Sequence, residues 1–431
     1  MKYSGVKWIG SIPDSWNTIK NKFVVDLFTG NSIKDEEKDL YTNEENSDLY
    51  LSSKNINVDN GELILNDVLY VNKDDKSFAR AHSDDILMCI EGGSAGRKKT
   101  YLNQTVAFVN KLCCFHPTGI SSKYLYYILQ SPHYESEFNL NMSGLIGGVT
   151  KGKLDNFIYP FPPVQMQDEI VVKLDKKISE INLLLELENN QIEKLKEYKQ
   201  SVIYDVVTKG LNKNKCTKDS GVEWIGKIPN DWKVIRIKDA FTLNNERTSE
   251  TDLEKVNLIS LYTDKGVVQH SDLTETTGNR AVTAEGYKVV KKEDIVVNII
   301  LCWMGAIGMS EYDGVTSPAY DIYSPKDHVI AKYYHYLFRT NRFNGECFKY
   351  GRGIMLMRWR TYSTEFTSIF IPYPSVEEQM RIVEYLDIKC KDIDELIEIK
   401  QQKIEKINEY KKSLIYEYVT GKKEVLAWKK Y

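Results

Sequence analysis

Apolar residues recur at alternating spacings of four and three positions along two long stretches of the chain, 164–209 and 376–420. Neither stretch contains a glycine or a proline, and both are rich in Glu, Lys, Leu and Ile, most of which favour helix. Each stretch follows closely on prolines and is followed by a glycine, Gly210 or Gly421, as expected where a helix ends. The pattern predicts two helices of roughly 60–70 Å, and helices of that length need a partner along their sides.

The recurring positions form one seam on each helix, and a sustained period of 3.5 residues is typical of a coiled coil. The predicted seam positions are Leu174, Ile178, Ile181, Leu185, Glu188, Ile192 and Leu195 on the first helix, and Leu386, Ile393, Ile397, Lys400, Ile404, Ile407 and Leu414 on the second. Antiparallel pairing, centre to centre, would place Glu188 opposite Lys400, and an opposite-charge pair favours this pairing over one between identical helices. The alternative is that local fraying exposes the polar seam positions.

The chain also contains an internal repeat. Residues 4–16 (SGVKWIGSIPDSW) and 220–232 (SGVEWIGKIPNDW) match at nine of thirteen positions, and the C-terminal parts of the two long helices match equally well. We therefore interpret the chain as two copies of one arrangement, a globular body followed by a long helix. The predicted segments are body 1 at 1–163, helix 1 at 164–209, a linker at 210–219, body 2 at 220–375, helix 2 at 376–420 and a C-terminal tail at 421–431.

Within the two bodies the sequence predicts a mixture of strands and short helices, and the fold class is α+β. Short runs with strand composition, such as 85–90 and 286–290, lie between Gly, Asn and Asp turns. Residues 122–130 and 332–339 have the pattern of matching short helices. Little else aligns between the bodies, which suggests two different ligands held by one kind of scaffold.

Positive charge is concentrated locally, although the net charge is −3 and the pI is near 6.2. Residues 92–134 contain no Asp or Glu, and 339–360 contain six basic residues against one acidic residue. A local basic face can hold phosphates because exposed charges act mainly within about 8–10 Å. The candidate DNA-contacting residues are Arg97, Lys98, Lys99, Lys151 and Lys153 in body 1, and Arg352, Arg358 and Arg360 in body 2. The alternative is a solvated surface with ordinary clustering of charge.

The sequence predicts no catalytic and no metal-binding residue. A complete phosphate-binding loop, a zinc-protease motif, a hydrolase serine motif and a dinucleotide fingerprint are all missing, and the six histidines lack metal-ligand spacing. Seven scattered cysteines without a CxxC pair favour reduced thiols, and hence a cytoplasmic protein. The start of the chain lacks the apolar core of a signal peptide, and no apolar run approaches the ~20 residues of a membrane span.

These features together resemble the specificity subunit of type I restriction–modification systems. The resemblance covers nearly the whole chain and is carried by the SGVxWIGxIPxxW motifs and by the proline-to-helix boundaries at 160–175 (PFPPVQMQDEIVVKLD) and 372–387 (PYPSVEEQMRIVEYLD). It is also carried by the helix ends EKLKEYKQSVIYDVVTKG and EKINEYKKSLIYEYVTGK. The bodies resemble each other only in layout, through GSAG at 93–96 and GAIG at 305–308.

The resemblance implies two target recognition domains separated by two antiparallel spacer helices, with the halves related by a pseudo-twofold axis. Each domain would read one part of a split, asymmetric site on double-stranded DNA through the major groove. The seam spans ~42 Å, near the ~34–36 Å repeat of one DNA turn. Two modification subunits would dock on the helices and bring S-adenosylmethionine for adenine N6-methylation. Restriction subunits would add ATP- and Mg-dependent translocation and cleavage, and no cofactor is expected in this chain.

Two other function classes remain open at this point. One is a coiled-coil scaffold whose bodies bind polypeptides, in which case salt-dependent DNA binding would be absent. The other is an enzyme that itself acts on nucleic acid, for which the sequence offers no site. Neither accounts as well for the duplicated motif and helix.

Overall fold

The computed structural model describes residues 1–144, 147–269, 283–354 and 359–423. It divides into two compact units. Unit 1 consists of Met1–Glu188 with Gln401–Tyr431, and unit 2 consists of Asn189–Lys400. The units differ from the sequence repeats, because each takes the first part of its own long helix and the last part of the other one.

Unit 1 contains short strands and three short helices before the first long helix begins. The elements are β1 Lys2–Tyr3, β2 Ser11–Ile12, β3 Asn17–Lys20, β4 Val25–Thr29, β5 Ser47–Leu51, β6 Leu69–Asn72, β7 Arg80–Ala81, β8 Ile86–Cys89, β9 Lys99–Tyr101, β10 Val106–Phe108, β11 Leu112–Pro117, α1 Ser122–Gln130, α2 Pro132–Leu140, α3 Lys151–Leu154, β12 Ile158–Phe161 and α4 Val164–Lys209. An antiparallel sheet has the order β4-β11-β8-β9, and a second sheet has the order β6-β5-β10-β7 with β5 and β10 parallel.

Unit 2 repeats much of this order. Its elements are β13 Thr217–Asp219, β14 Lys227–Pro229, β15 Lys233–Arg236, α5 Ile237–Ala240, β16 Phe241–Asn244, β17 Ile259–Tyr262, β18 Gly266–Gln269, β19 Lys288–Val290, β20 Ile295–Asn298, β21 Ile307–Met309, β22 Gly314–Thr316, β23 Tyr320–Pro325, α6 Ala331–Phe338, α7 Asn341–Tyr350, α8 Ser363–Ser368, β24 Phe370–Tyr373 and α9 Val376–Val419. The antiparallel sheet β16-β23-β20-β21 corresponds strand for strand to β4-β11-β8-β9. The duplication therefore extends into bodies whose sequences barely align.

The long helices agree closely with their predicted bounds. α4 covers Val164–Lys209 as predicted, and α9 ends at Val419, one residue before the predicted end. The short helix α1 also matches its prediction, and α6 is shifted by one residue. The segment predicted as a linker, 210–219, is not wholly irregular, because its last three residues form β13, which pairs with β14.

The two segments that match best between the halves lie against each other in the structure. In unit 1 the buried Trp8, Ile9 and Trp16 of the opening motif belong to one core cluster with the end of α9, including Val419. In unit 2 the hydroxyl of Tyr204 near the end of α4 donates to the carbonyl of Trp224 at 2.8 Å. The motif and the helix end are thus two sides of one interface, which explains why both recur in the sequence.

The glycines that follow the long helices are required by this interface. Gly210 and Gly421 have φ of 74° and 69°, the left-handed conformation of a helix C-terminus that glycine adopts without strain. A Cβ on Gly421 would lie 2.5 Å from Pro13 Cδ and 3.0 Å from a Trp16 ring carbon. The chain can leave the helix here only if this residue has no side chain.

A buried glutamine joins the start of each long helix to its body in the same way. Gln167 accepts from the Ser121 amide at 2.8 Å and donates to the Pro162 carbonyl at 3.0 Å. Gln379 accepts from the Ile330 amide at 2.9 Å and donates to the Pro374 carbonyl at 3.0 Å. The two amides lie just before α1 and α6, and the two carbonyls lie just before α4 and α9. Each glutamine therefore satisfies buried backbone groups and joins a long helix to a short helix of its body, in the same way in both units.

Within each unit, segments of the two long helices run antiparallel. In unit 1, Lys411 Nζ lies 2.8 Å from Asn182 Oδ1, and Lys403 Nζ lies 2.6 Å from Glu188 Oε1. Residue numbers therefore increase along α4 in the direction in which they decrease along α9. The seam positions of unit 1 are buried or half-buried: Leu174, Ile178, Ile181, Leu185, Glu188, Ile404, Ile407 and Leu414. The same holds for those of unit 2: Ile192, Leu195, Leu386, Ile393, Ile397 and Lys400.

The charged positions at the centre of the seam have partners within their own units. Glu188, only 4% exposed, is paired with Lys403 in unit 1. In unit 2, Lys400 donates to the side-chain oxygen of Gln191. The expected pair of Glu188 with Lys400 involves residues of different units and stays a prediction.

No helix in the described part of the chain is long and apolar enough to cross a membrane. The cysteines are all free thiols, and Cys216 is exposed while the other six are buried. Among the described residues, no group of three or more His, Cys, Asp or Glu side chains could hold a metal ion.

We predict that Glu188→Lys lowers the melting temperature of the chain. The substitution places a buried cation beside Lys403. Breaking a fully buried ion pair costs about 3–5 kcal/mol, and the cost is smaller here because the Lys403 side chain is half exposed. The measurement is thermal unfolding followed by circular dichroism, with Glu186→Lys at an exposed position of the same helix as the control. Equal melting temperatures for the two variants would contradict the role given to Glu188.

Candidate nucleic-acid interface

A glycine-rich loop connects β8 to β9 in unit 1. The Gly96 amide donates to the Cys89 carbonyl at 2.8 Å, and the Ala95 amide donates to the Gly92 carbonyl at 2.9 Å. Gly96 has φ of 73°, and a Cβ there would lie 2.5 Å from a ring carbon of Phe138. The loop is therefore tightly folded over α2, and Arg97 follows immediately after it.

A second loop is attached to the first one. The Gly92 amide donates to the Gly147 carbonyl at 2.8 Å, and the Val149 amide donates to the Ile90 carbonyl at 3.0 Å. The structure thus brings together the two basic stretches that the sequence presents separately, the one around Arg97 and the one around Lys151. Gly148 also forms isolated antiparallel β-bridges with Glu91 and with Ser143, which complete the contact between the two loops.

Four of the five predicted cations of body 1 lie at or near the surface of this double loop. Arg97 and Lys151 are exposed, and the Arg97 guanidinium donates to the Gly93 carbonyl at 2.6 Å. Lys98 Nζ donates to the Ser53 carbonyl at 2.8 Å, and Lys153 Nζ donates to the Asn141 carbonyl at 2.8 Å. The amines of Lys98 and Lys153 are thus held in place.

Lys99 lies in the interior instead. It is 6% exposed, and its Nζ donates to the Leu129 carbonyl at 2.7 Å. Burial lowers the pKa of Lys99 to about 8. The residue begins β9, and its side chain reaches the end of α1, whereas the neighbouring Lys98 is half-buried and bonded to Ser53. We therefore correct the expectation that Lys99 contacts DNA.

Lys111 joins this basic surface, although the candidate set did not include it. It is exposed, and its carbonyl accepts from the Ile90 amide at 3.0 Å at the start of the glycine-rich loop. Burial raises the pKa of the Cys89 thiol, and the nearby charges of Lys98 and Lys111 oppose that rise. Lys111 lies in the acid-free stretch of the sequence, and that signal could have identified it.

Unit 2 has a loop at the equivalent place, between β20 and β21. The Asn298 side chain accepts from the Ile300 amide at 2.9 Å and starts the turn, and Gly305 ends it. Arg339 stabilises this loop, because its guanidinium donates to the carbonyls of Ile307 at 3.0 Å and Asp264 at 2.8 Å. Arg339 is therefore a structural residue, although it lies in the basic stretch of the sequence.

A second loop is attached here as well. Arg352 and Arg360 form an antiparallel bridge with N–O distances of 2.9 and 3.0 Å, and the Thr361 amide donates to the Ile299 carbonyl at 2.9 Å. Both arginines are exposed, and Arg352 is paired with Glu365 at 3.0 Å. The third predicted residue, Arg358, lies outside the described residues.

The two surfaces share a position in the fold and differ in chemistry. In unit 1 the loop between β8 and β9 is joined to the segment that follows α2. In unit 2 the loop between β20 and β21, at the same place in the equivalent sheet, is joined to the segment that follows α7. Unit 1 presents glycine, serine and lysine with Arg97. Unit 2 presents Leu301, Trp303 and Met304 with two arginines. Two unlike surfaces on one repeated frame can bind two unlike ligands of the same class.

A family model described as "Type I restriction modification DNA specificity domain" matches residues 13–221 and again 229–409. The chain belongs to this family. It is therefore a DNA sequence-recognition subunit of the type I restriction–modification kind, and the resemblance noted from its motifs is confirmed.

Named relatives agree with this assignment. The chain is 26% identical over 438 residues to the type I restriction enzyme MjaVIII specificity subunit of Methanocaldococcus jannaschii, covering 95% of this chain and 93% of that protein. It is 27% identical over 187 residues to the MjaIX specificity subunit of the same organism, covering 42% of each chain.

Solved structures share the fold. A chain from a structure reported as the basis of complex assembly and conformational transition of the type I R-M system superposes with a TM-score of 0.69, at 12% identity, over 95% of this chain and 98% of that one. The HsdS subunit from Thermoanaerobacter tengcongensis superposes with a TM-score of 0.51, at 15% identity, over 98% of this chain and 100% of that one. The α+β architecture with two long helices is confirmed.

We predict that Arg97→Ala and Arg360→Ala each weaken binding of the assembled complex to its DNA site, because each removes an exposed cation. The expected loss is about 5–100-fold, with the larger value for an arginine that contacts a guanine edge. The measurement is a titration with labelled duplex at several salt concentrations.

Two control variants accompany this titration. Lys99→Met should leave the affinity and its salt dependence unchanged, because the lysine is buried. Arg236→Ala removes an exposed arginine on β15, outside the candidate surface, and should also have little effect. Unchanged affinity for Arg360→Ala would remove that arginine from the interface.

Proposed function

We propose that this chain reads one split, asymmetric DNA site, with one part recognised by each unit. The observation that carries the proposal is the pair of unlike surfaces at equivalent places on a duplicated frame. Identical surfaces would favour a symmetric site, whereas Gly and Lys in unit 1 and Leu, Met and Arg in unit 2 favour two different base sequences. The two long helices, shared by both units, would set the gap between the parts.

The exposed cations fit two kinds of DNA contact. Lysines such as Lys98 and Lys153, whose amines already donate to backbone carbonyls, suit contacts with phosphates, which position a protein on DNA without reading its sequence. Arg97 and Arg360 are exposed guanidinium groups, and arginine can donate two hydrogen bonds to O6 and N7 of guanine in the major groove. We assign the arginines to base reading and the lysines to the backbone.

We further propose that methyl transfer and DNA cleavage belong to partner subunits. Modification subunits would bring S-adenosylmethionine, and restriction subunits would bring ATP and Mg²⁺, as the family resemblance implies. This chain would contribute recognition and assembly, and no reacting group of its own.

Exposed apolar residues on the long helices support docking of two copies of one modification subunit. Leu184 and Leu187 are exposed on α4 one turn apart, and a shift of 212 positions maps them onto Leu396 and Ile399, which are exposed on α9. Side chains three positions apart share a helix face. Each unit thus exposes its own copy of an apolar pair away from the buried seam, as two identical partners would require.

Exposed tyrosines recur on the long helices in the same way. Tyr198 and Tyr410 are related by the same shift and are both about half exposed. Tyr410 belongs to unit 1 with the first leucine pair, and Tyr198 belongs to unit 2 with the second apolar pair. Tyrosine is enriched at protein interfaces because an apolar ring and a polar hydroxyl suit a surface that is only partly dry.

We predict that Leu187→Glu and Ile399→Glu each remove one modification subunit from the complex and that the double variant removes both. A carboxylate on an apolar contact is left without a partner when water is excluded. The measurement is native mass spectrometry of co-expressed subunits, with Gln401→Glu as the control because it adds the same charge at an exposed polar position that, two residues from Ile399, lies on a different side of the helix. Single variants that retain two partners would rule out this face.

The central test is a genome-wide map of N6-methyladenine. The chain would be co-expressed with a cognate modification subunit in a host that lacks DNA methylation. We expect one split motif with two unlike parts and a fixed gap. Replacing residues 1–163 with the equivalent body of another specificity subunit should change one part only.

The rival proposal of a protein scaffold makes a different prediction for the same map. No new methylation, despite a stable complex that copurifies, would favour the scaffold. A motif whose two parts are identical would contradict the assignment of two unlike surfaces to two unlike sequences.

A further inference from the structure

The recognition surface of unit 2 exposes apolar side chains at its most prominent points. Leu301 and Met304 in the loop are 37% and 50% exposed, and Ile354 in the attached segment is 94% exposed. Phe348 of α7, which lies between the two segments, is 39% exposed. Side chains of this size normally pack inside a protein, so an exposed group of them marks a binding surface.

This surface is held rigidly by aromatic contacts. The Phe348 ring stacks on Trp359 with centroids 4.9 Å apart and contacts Trp303 edge to face at 5.5 Å. The indole N–H groups are satisfied, since Trp303 donates to the Ile300 carbonyl at 2.9 Å and Trp359 donates to the Phe348 carbonyl at 3.0 Å. Leu301 and Met304 on either side of Trp303 are therefore presented outward from a fixed support.

The charges beside the apolar group favour DNA as its ligand. Arg352 and Arg360 are exposed on the same segment as Ile354, and Lys349 on α7 is exposed as well. Arg352 lies 3.0 Å from a carboxylate oxygen of Glu365, and Lys349 lies 3.6 Å from one of Glu346, so two of these three cations have an acidic neighbour. Arginine and lysine next to an apolar group match a polyanion that also presents apolar atoms.

The major groove offers one apolar group for direct reading, the C5-methyl of thymine. The glycine-rich loop of unit 1 has no exposed large apolar side chain among residues 91–98, although Leu140 at the end of α2 is exposed. We propose that unit 2 reads its part of the DNA site through thymine methyl groups that contact Met304 and Leu301. The inference rests on the proposed function and names the bases that unit 2 selects.

The test replaces thymine with deoxyuridine, which lacks only the methyl group. The assembled complex is titrated with duplexes that carry the mapped site, in which the thymines of one part are replaced one at a time. The part read by unit 2 is assigned beforehand by replacing residues 220–375 and finding which half of the methylated motif changes. We expect at least one position in that part to weaken binding about threefold to fivefold, the effect of losing one buried methyl contact.

Protein variants then show which side chain makes the contact. With Met304→Ala or Leu301→Ala, the difference between thymine and deoxyuridine at that position should fall to less than twofold. The matched control is Leu211→Ala, which removes a leucine of similar exposure outside the surface and should preserve the full difference. Deoxyuridine in place of thymines that flank the mapped site should change the affinity less than twofold.

Three results would overturn the inference while leaving the proposed function intact. They are a unit 2 half-site without thymine, equal losses from deoxyuridine inside that half-site and in the flanking DNA, and variants that still distinguish the two bases. If Met304→Ala instead releases modification subunits and keeps the distinction, the apolar group is a protein interface. Failure of the wild-type complex to bind or methylate any specific site would contradict the proposed function itself.

Discussion

The cores of both units depend on how the ends of the long helices are buried. Val419 at the end of α9 is fully buried in unit 1, and its carbonyl accepts from the Tyr124 hydroxyl at 2.9 Å. Val207 near the end of α4 is fully buried in unit 2, and its carbonyl accepts from the Tyr333 hydroxyl at 2.6 Å. A buried tyrosine hydroxyl and the free carbonyls of a helix end each need a partner, and here they satisfy one another. Without the helix ends, the tryptophans of the opening motifs would be exposed to water.

The molecule therefore has a part that is constrained by mutual packing and a part, the loops after β8 and β20, whose outward side chains are less constrained. The opening motif packs against a helix end, and a buried glutamine joins each long helix to its body, and both arrangements are alike in the two units. The loops after β8 and β20 are anchored by backbone bonds, by Arg339 and by the buried side chains of Ala95 and Cys302, which belong to the two cores. Their outward side chains can differ without cost to the fold, which is the property that a reader of varied DNA sequences needs.

The candidate interface shows where sequence reasoning succeeded and where it failed. The basic stretches around Arg97 and Lys151 were identified from the absence of acidic residues, and the structure brings them together. Lys99 was included among the candidates because a charged residue in a three-residue strand gives no sign in the sequence of which face it occupies. Met304 and Trp303 were not among the candidates because apolar residues in a short run are expected to be buried. Only the packing of α7 against the loop shows that the tryptophan is the support and the methionine is exposed.

The sequence by itself determined the two long helices, their seams, the duplication and the family, because these depend on periodicity and on local motifs that repeat. It also located the positive charge along the chain. Tertiary structure alone decided how each core is completed, with each unit taking the end of the helix that begins in the other. It also decided which side chains reach the surface of the double loops. The physical reason is that both depend on contacts between residues far apart in the chain, which no local pattern records.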